Sequence, residues 1–381
     1  MNVLGTVALT SCALGLWSCV VALSSKSESR GSAGAAGDSA AASGAGKAAT
    51  ADPVQTPAVT GEWVNVTGNL AGVSSECGNL GIVIAKPDED MLLAGVALRG
   101  LWTSTNGGST WRQIGLDSPD RITNRIMSVV FDPANPQQFW ESGSYNGGGV
   151  FVTRDAGATF TRLGTPLNAD FLSVDFTDAK RRNLLLGSHE QERTLYYSND
   201  GGEHWTNVGE SLPEGSGFSN APLILGATKF LVGTGTGIFR TDDAGGSWTL
   251  ARGSAGVDMG ALRIADNDIF WVTRRGALLR SSDEGASFSE SVREGTLNDV
   301  TPVQLPDGRL AALTRDAVVV SSDLGETWTV VSPQLLYNDA AYIRFTYSAF
   351  RRAFYLSHFT CGSGDHQPVA DDAVLRFDLQ E

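Results

Sequence analysis

The chain has 381 residues, a formal net charge of −14 and 45 glycines, with only 18% of its residues charged. That length is ample for one large β domain, and no amphipathic helical pattern of useful length interrupts it. The acidic balance argues against nucleic acid and against a basic membrane-binding face. It leaves neutral sugars, cationic groups and other proteins as partners, and makes a poor host for sialic acid unless arginines gather in one pocket.

Residues 1–25, MNVLGTVALTSCALGLWSCVVALSS, carry no charged side chain, which marks an export signal or a membrane anchor. The usual basic start is missing, and Lys26 and Arg30 after the apolar run would orient an uncleaved anchor inward. LTSC and LWSC each resemble the lipobox that precedes a lipidated cysteine, at Cys12 or Cys19. Cys12 has the better local match; Cys19 leads sooner into polar sequence and is preferred. Residues 26–57 are rich in Ala, Gly and Ser, too poor in apolar surface to fold, and read as a flexible tether. The expected organisation is a leader or anchor (1–25), a linker (26–57) and a folded domain (58–381). Such a protein is exported, as a cell-envelope lipoprotein or in secreted form, and touches membrane only through its N-terminal segment.

From Glu62 onward the chain reads as short strands. EWVNVTG (62–68) comes first. Seven candidates for a first strand follow, from LGIVIA (80–85) and IMSVVF (126–131) to YIRFTY (342–347), with seven second strands from MLLAGV (91–96) to AFYLSH (353–358). Six third strands run into a recurring turn: GLWTSTNGGSTW (100–111), GVFVTRDAGATF (149–160), TLYYSNDGGEHW (194–205), GIFRTDDAGGSW (237–248), ALLRSSDEGASF (277–288) and AVVVSSDLGETW (317–328). Its key positions, Asn106, Asp155, Asp200, Asp243, Asp283 and Asp323, are spaced by 49, 45, 43, 40 and 40 residues. A repeat of that length built from short strands is the pattern of propeller blades.

The residue types explain the turn. A carboxylate or amide oxygen accepts from nearby backbone N–H groups and the Ser/Thr hydroxyl, the following Gly supplies positive φ, and the aromatic residue anchors neighbouring sheets. Five equivalent catalytic carboxylates and an amide would be strange, and a calcium loop needs more oxygen ligands per turn; these six positions are therefore expected to be structural. The turns resemble the Asp-box (BNR) repeat of sialidases, xyloglucanases, sortilin-type receptors and photosystem II assembly factors. The resemblance covers almost everything from Glu62 to the end and implies a β-propeller with its ligand site on the face away from the boxes. It implies fold more than activity, because the box recurs across unrelated functions.

Seven first and second strands against six boxes leave AVLRFDL (373–379) as a third strand with no fourth. EWVNVTG matches the post-box strands and can fill the gap, giving an all-β, seven-bladed propeller closed by its N-terminal strand. Six blades with an irregular C-terminal cap is the alternative. Cys77 and Cys361 are the only cysteines after the leader; a disulfide between them would contribute at most about 5 kcal/mol, and two unpaired buried thiols is the other reading.

On the face opposite the boxes, the weak catalytic candidates are Glu190, Glu192, Asp339, Asp365 and Tyr145, and the ligand-binding candidates are Asn146, His189, Arg274, Arg275, Arg315, His358 and His366. The histidines there form no ligand spacing, so neither metal nor cofactor is expected, and His204 reads as a surface turn residue. The first-blade Arg-Ile-Pro motif of sialidases is replaced by GNLGIVIAKP, so no sialidase residue transfers. Wording such as SVVFDPANPQQFWESGS is closer to xyloglucanase-like and sortilin-like repeats. Xyloglucanases face two propellers with one catalytic carboxylate from each, and this chain has room for one. The expected function is a monomeric binding or scaffold module for a carbohydrate or protein ligand; the alternative is a glycoside hydrolase with carboxylates paired across one face.

Overall fold

The computed structural model describes residues 59–76, 80–264, 267–336, 342–358 and 372–380. Both leader cysteines, the linker, Cys77, Cys361, Asp339, Asp365 and His366 lie outside the described residues. Within them the chain forms 28 strands in seven antiparallel sheets of four, with one short 3-10 turn at Gly68–Leu70. No helix among the described residues is long and apolar enough to cross a membrane.

Blade 1 comprises Leu80–Ala85, Leu92–Val96, Gly100–Ser104 and Arg112–Gln113. Blade 2 comprises Arg125–Phe131, Phe139–Ser144, Gly149–Thr153 and Thr161–Arg162, and blade 3 Ala169–Val174, Leu184–Ser188, Leu195–Ser198 and Thr206–Asn207. Blades 4, 5 and 6 follow the same order and begin at Ala221, Leu262 and Val303. Each blade runs inner to outer in sequence, as local hairpin connections require.

The seventh sheet is different. Its inner three strands are Tyr342–Ser348, Ala353–His358 and Ala373–Asp378, and its fourth is Val64–Asn65 from the other end of the chain. Val64 pairs with Arg376 and Asn65 with Leu375. Val374 N–H donates to Thr67 Oγ1 at 3.0 Å, and Val66 N–H donates to Val374 O at 2.8 Å. Trp63 packs on Phe377 with ring centroids 5.4 Å apart, and its indole N–H donates to Pro333 O in the loop that leaves blade 6. The ring is therefore closed with seven blades, and the six-blade alternative is excluded.

The core lies between blades. Second strands such as LLAGV and FWESGS are buried along their whole length because a blade covers each side. One cluster joins Ile82 and Leu93 of blade 1 to Ile126, Phe139 and Phe151 of blade 2; another joins Ala311 and Val320 of blade 6 to Phe354 and Leu375 of blade 7.

The box turns sit at the end of each blade away from the loops that lead into the next one. At Asp243, the Thr241 hydroxyl donates to Oδ1 at 2.6 Å and accepts from Gly245 N–H at 3.0 Å. Ser247 donates its N–H to Oδ1 at 2.9 Å and its hydroxyl to Oδ2 at 2.7 Å. The same set recurs at Asp155, Asp283 and Asp323. His204 replaces the second hydroxyl at Asp200, and Asn106 accepts through its amide oxygen. Hydrogen bonds from Thr241 and Ser247 hold Asp243 at about 2, and those from Thr327 and Ser321 do the same for Asp323. The indole N–H groups of Trp111, Trp205 and Trp248 donate to the carbonyls of Val66, Leu163 and Val208, each beside the outer strand of the neighbouring blade. Two successive residues in each box are left-handed: Ala156, Ala244, Glu284 and Leu324 precede their glycines at φ 59, 57, 55 and 58.

Candidate functional site

The loops leading into blades 2, 3 and 4 and the turns between second and third strands meet on the face opposite the boxes. They are tied to one another in sequence. Thr123 Oγ1 donates to Asn146 O at 2.6 Å, Tyr145 N–H to Asn168 Oδ1 at 3.1 Å, His189 N–H to Asn168 O at 2.7 Å, and Ser219 N–H to Gln191 O at 3.2 Å. Tyr145, Asn146, Asn168, Glu190 and Arg193 all have positive φ between 44 and 57. Left-handed backbone at non-glycine residues costs roughly 1 kcal/mol each and is held only where surrounding contacts fix it.

Those turns aim Tyr145 and His189 at each other. His189 Nε2 lies 2.7 Å from the Tyr145 hydroxyl and Nδ1 lies 2.7 Å from Asp170 Oδ1, with the two rings edge-on at 4.8 Å. The Arg125 guanidinium stacks 5.0 Å from the Tyr145 ring centre and is 3.7 Å from Glu76, which also accepts from Asn146 Nδ2 at 2.8 Å. Asp170 is buried, while Tyr145 keeps 37% of its surface exposed. Burial alone would lower the His189 pKa, but the hydrogen bond and charge of Asp170, with the charge of Glu190, raise it above the usual value. Burial and the Glu190 charge raise the Tyr145 phenol as well. Tyr145 thus stays a neutral hydrogen-bonding phenol beside a readily protonated imidazole; an activated nucleophile needs the opposite shift.

A second group surrounds the axis. Arg344, on the inner strand of blade 7, donates to Met127 O of blade 2 at 2.6 Å and lies 5.3 Å from the Phe171 ring of blade 3. It borders an axial cavity of about 520 Å³ whose walls are mainly apolar, among them Val129, Leu172, Leu223 and Phe345. Burial lowers its pKa to about 10, against the charges of Asp170 and Asp299. Burial and the charge of Asp258 push Asp299 up to about 7, against Arg274 and Arg344. Asp299 Oδ1 is shielded from solvent and has no hydrogen-bond partner among the described residues. Sequence reasoning named neither Arg344 nor Asp299, since both sit in or beside ordinary-looking inner strands.

The other candidates scatter. Glu190 is exposed and 3.7 Å from His189 Nε2, whereas Glu192 bridges through its backbone to Phe218 farther out. Arg274 is paired with Asp258 and Arg275 with Glu294, and Arg315 is exposed on the blade 6 turn. The three arginines form no single anion pocket. His358, named as a ligand-binding candidate, ends the second strand of blade 7 and is buried rather than open to a ligand. Among the described residues the metal-type cluster is Asp200, Glu203 and His204, exposed on the box face, where His204 serves the turn.

One buried acid stands apart. Glu141 occupies the second-strand position held by Ala94, Leu186, Val232, Trp271 and Ala312 in the other boxed blades. It is fully buried, accepts only from Asn124 Nδ2 at 3.4 Å, and burial raises its pKa well above the usual range.

A family model described as Sortilin-Vps10 (sortilin, neurotensin receptor 3) matches residues 99–220, less than half of the chain. The oligoxyloglucan-reducing end-specific xyloglucanase of Emericella nidulans is 25% identical over 171 residues, 39% of this chain and 19% of that protein. A probable enzyme of the same description from Neosartorya fischeri is 26% identical over 165 residues, again 39% and 19%. The aligned region is therefore about a fifth of the length of these relatives. Among solved structures, the GH74 xyloglucanase of Xanthomonas campestris has TM-score 0.54 and 18% identity, covering 80% of this chain and 55% of that one. YCF48 from Cyanidioschyzon merolae has TM-score 0.53 and 14% identity, covering 83% and 99%. These structural likenesses are likenesses of fold: a seven-bladed propeller with xyloglucanase and YCF48-like neighbours.

Proposed function

We propose that the protein is an exported Asp-box propeller that acts as a binding module, with the ligand seated on the loop face around Tyr145. The observation that carries this reading is the pre-organised Tyr145 ring, partly exposed and fixed by His189, Asp170 and Arg125. An aromatic face held rigidly beside hydrogen-bonding groups binds at low entropic cost. The charged groups around it are largely paired with one another, which suits recognition better than proton transfer. In this reading the six box residues are structural, the leader is lipidated at Cys19 or Cys12, the linker is a tether, and the propeller is a monomer. A Cys77–Cys361 disulfide is supported by the Leu80 N–H to Asp372 Oδ2 bond of 3.1 Å, which joins the segments following the two cysteines. Binding to a panel of glycans and peptides tests the reading. Tyr145→Ala is expected to abolish binding in a protein of unchanged melting temperature, and intact binding would refute the site.

The second reading is a glycoside hydrolase, favoured by Asp299. An acid at about 7 whose charge, with that of Asp170, acts on the buried Arg344 guanidinium has the character of a general acid near a second carboxyl group. Turnover of aryl glycosides or polysaccharides, lost on Asp299→Asn, would replace the binding reading with this one.

A further inference from the structure

Four of the exposed large apolar side chains lie in one sector of the loop face. Leu116, Tyr145, Leu167 and Phe218 are 47%, 37%, 61% and 38% exposed, and they lie on successive loops of blades 2 to 4. The hydrogen bonds that tie those loops together make the sector one continuous, pre-formed surface. Its exposed charges are nearly all of one sign. Asp117, Glu190, Glu192, Glu210 and Glu214 flank the apolar residues. The arginines that reach these loops are engaged locally: Arg121 donates to Leu116 O at 3.2 Å, Arg162 to Gly147 O and Pro166 O at 2.9 and 3.2 Å, Arg125 stacks on Tyr145 beside Glu76, and Arg193 donates to Glu210 O and lies 4.0 Å from Glu214. His189 is matched by Asp170.

An apolar strip edged by exposed carboxylates repels anions. Charge complementarity selects a chain that alternates apolar and cationic side chains. Resting on the binding-module reading, we propose that the strip over blades 2 to 4 docks an extended basic segment of a protein partner. Its apolar side chains lie over Leu116, Leu167 and Phe218, and its lysines or arginines face the flanking carboxylates.

Fluorescence anisotropy with a labelled peptide alternating lysine and leucine tests this, beside a glutamate–leucine counterpart and a labelled xyloglucan oligosaccharide. The lysine peptide is expected to bind, the glutamate peptide not, with affinity falling as salt is raised. Leu167→Ser with Phe218→Ser should weaken binding by about tenfold or more, as loss of central interface side chains does. Glu190→Gln with Glu192→Gln should weaken it and flatten the salt dependence, and Leu250→Ser on an outer strand should change nothing. Every substituted side chain is exposed, so melting temperatures should match the parent. Failure of the lysine peptide to bind, or binding indifferent to both double variants, overturns the proposal. If the oligosaccharide binds through Tyr145 while Leu167 and Phe218 are inert, the binding-module reading survives and this occupant is wrong. Loss of both, with turnover of the oligosaccharide, removes the binding reading itself.

Discussion

Replacing Glu141 with Gln should change how stability depends on pH. The folded carboxyl is fully buried, with one weak donor at Asn124 and no partner at Oε1, so its pKa lies well above the usual carboxylate range. In the unfolded chain it ionises at about 4.3. A group whose folded pKa is raised contributes its stability fully below the unfolded pKa and loses it as pH rises towards the folded pKa. The loss is about 1.4 kcal/mol per pH unit over that window. Gln keeps the shape and an acceptor for Asn124 but cannot ionise. Urea unfolding followed by tryptophan fluorescence at pH 5, 6 and 7 should show the variant gaining on wild type as pH rises, by up to that slope. The sign is opposite to the usual effect of removing a buried partner, because here the unfolded state profits from ionisation. A constant difference between the two proteins across this range would refute the reasoning, since it would mean that Glu141 is ionised or solvated in the fold.

Four further outcomes follow from the geometry. Thr241→Val removes a buried hydroxyl that serves Asp243 and Gly245 N–H together; leaving that N–H unpaired should cost about 1–3 kcal/mol in an unfolding titration. The carboxyls of Asp200, Asp243, Asp283 and Asp323, depressed to about 2, contribute stability above their unfolded pKa, so a melting-temperature profile should fall as pH drops from ~4 towards 2. Asp170→Asn should move the His189 titration, followed by NMR, from above its ordinary value to below it, because burial is then the dominant influence. Trp63→Ala should cost about 3–5 kcal/mol by chemical denaturation, since it removes the packing on Phe377 that holds the ring closed.

The ring was legible because its information is local. A Ser or Thr, an Asp, a Gly and an aromatic residue at fixed spacing describe a turn wherever they occur, and counting strands against turns exposed the vacancy that residues 62–68 fill. The left-handed residue before each box glycine was hidden, because only Gly107 and Gly201 announce it while Ala156 and Leu324 do not. The face was legible in part: Tyr145, Asn146, His189 and Glu190 could be assigned to neighbouring turns, but not the hydrogen bonds that join Tyr145 to His189. Asp170 and Arg344 were invisible, since an inner strand reads the same whether a polar side chain faces a neighbour or the axis. Glu141 had a signal, an acid in FWESGS where the matching second strands are apolar, that aligning the blades would have revealed.

The closing strand also sets an order of events during synthesis. Val64 and Asn65 are made early, yet their partners Leu375 and Arg376 follow more than 300 residues later. At the usual ~5–20 residues per second, the segment waits roughly 15 to 60 s with its hydrogen-bonding edge and Trp63 unpaired. Six blades can assemble by nearest-neighbour contacts in that time, and the seventh cannot. Ring closure is therefore the last step and a checkpoint on completeness, because a chain that stops short of residue 373 leaves its own beginning without a partner.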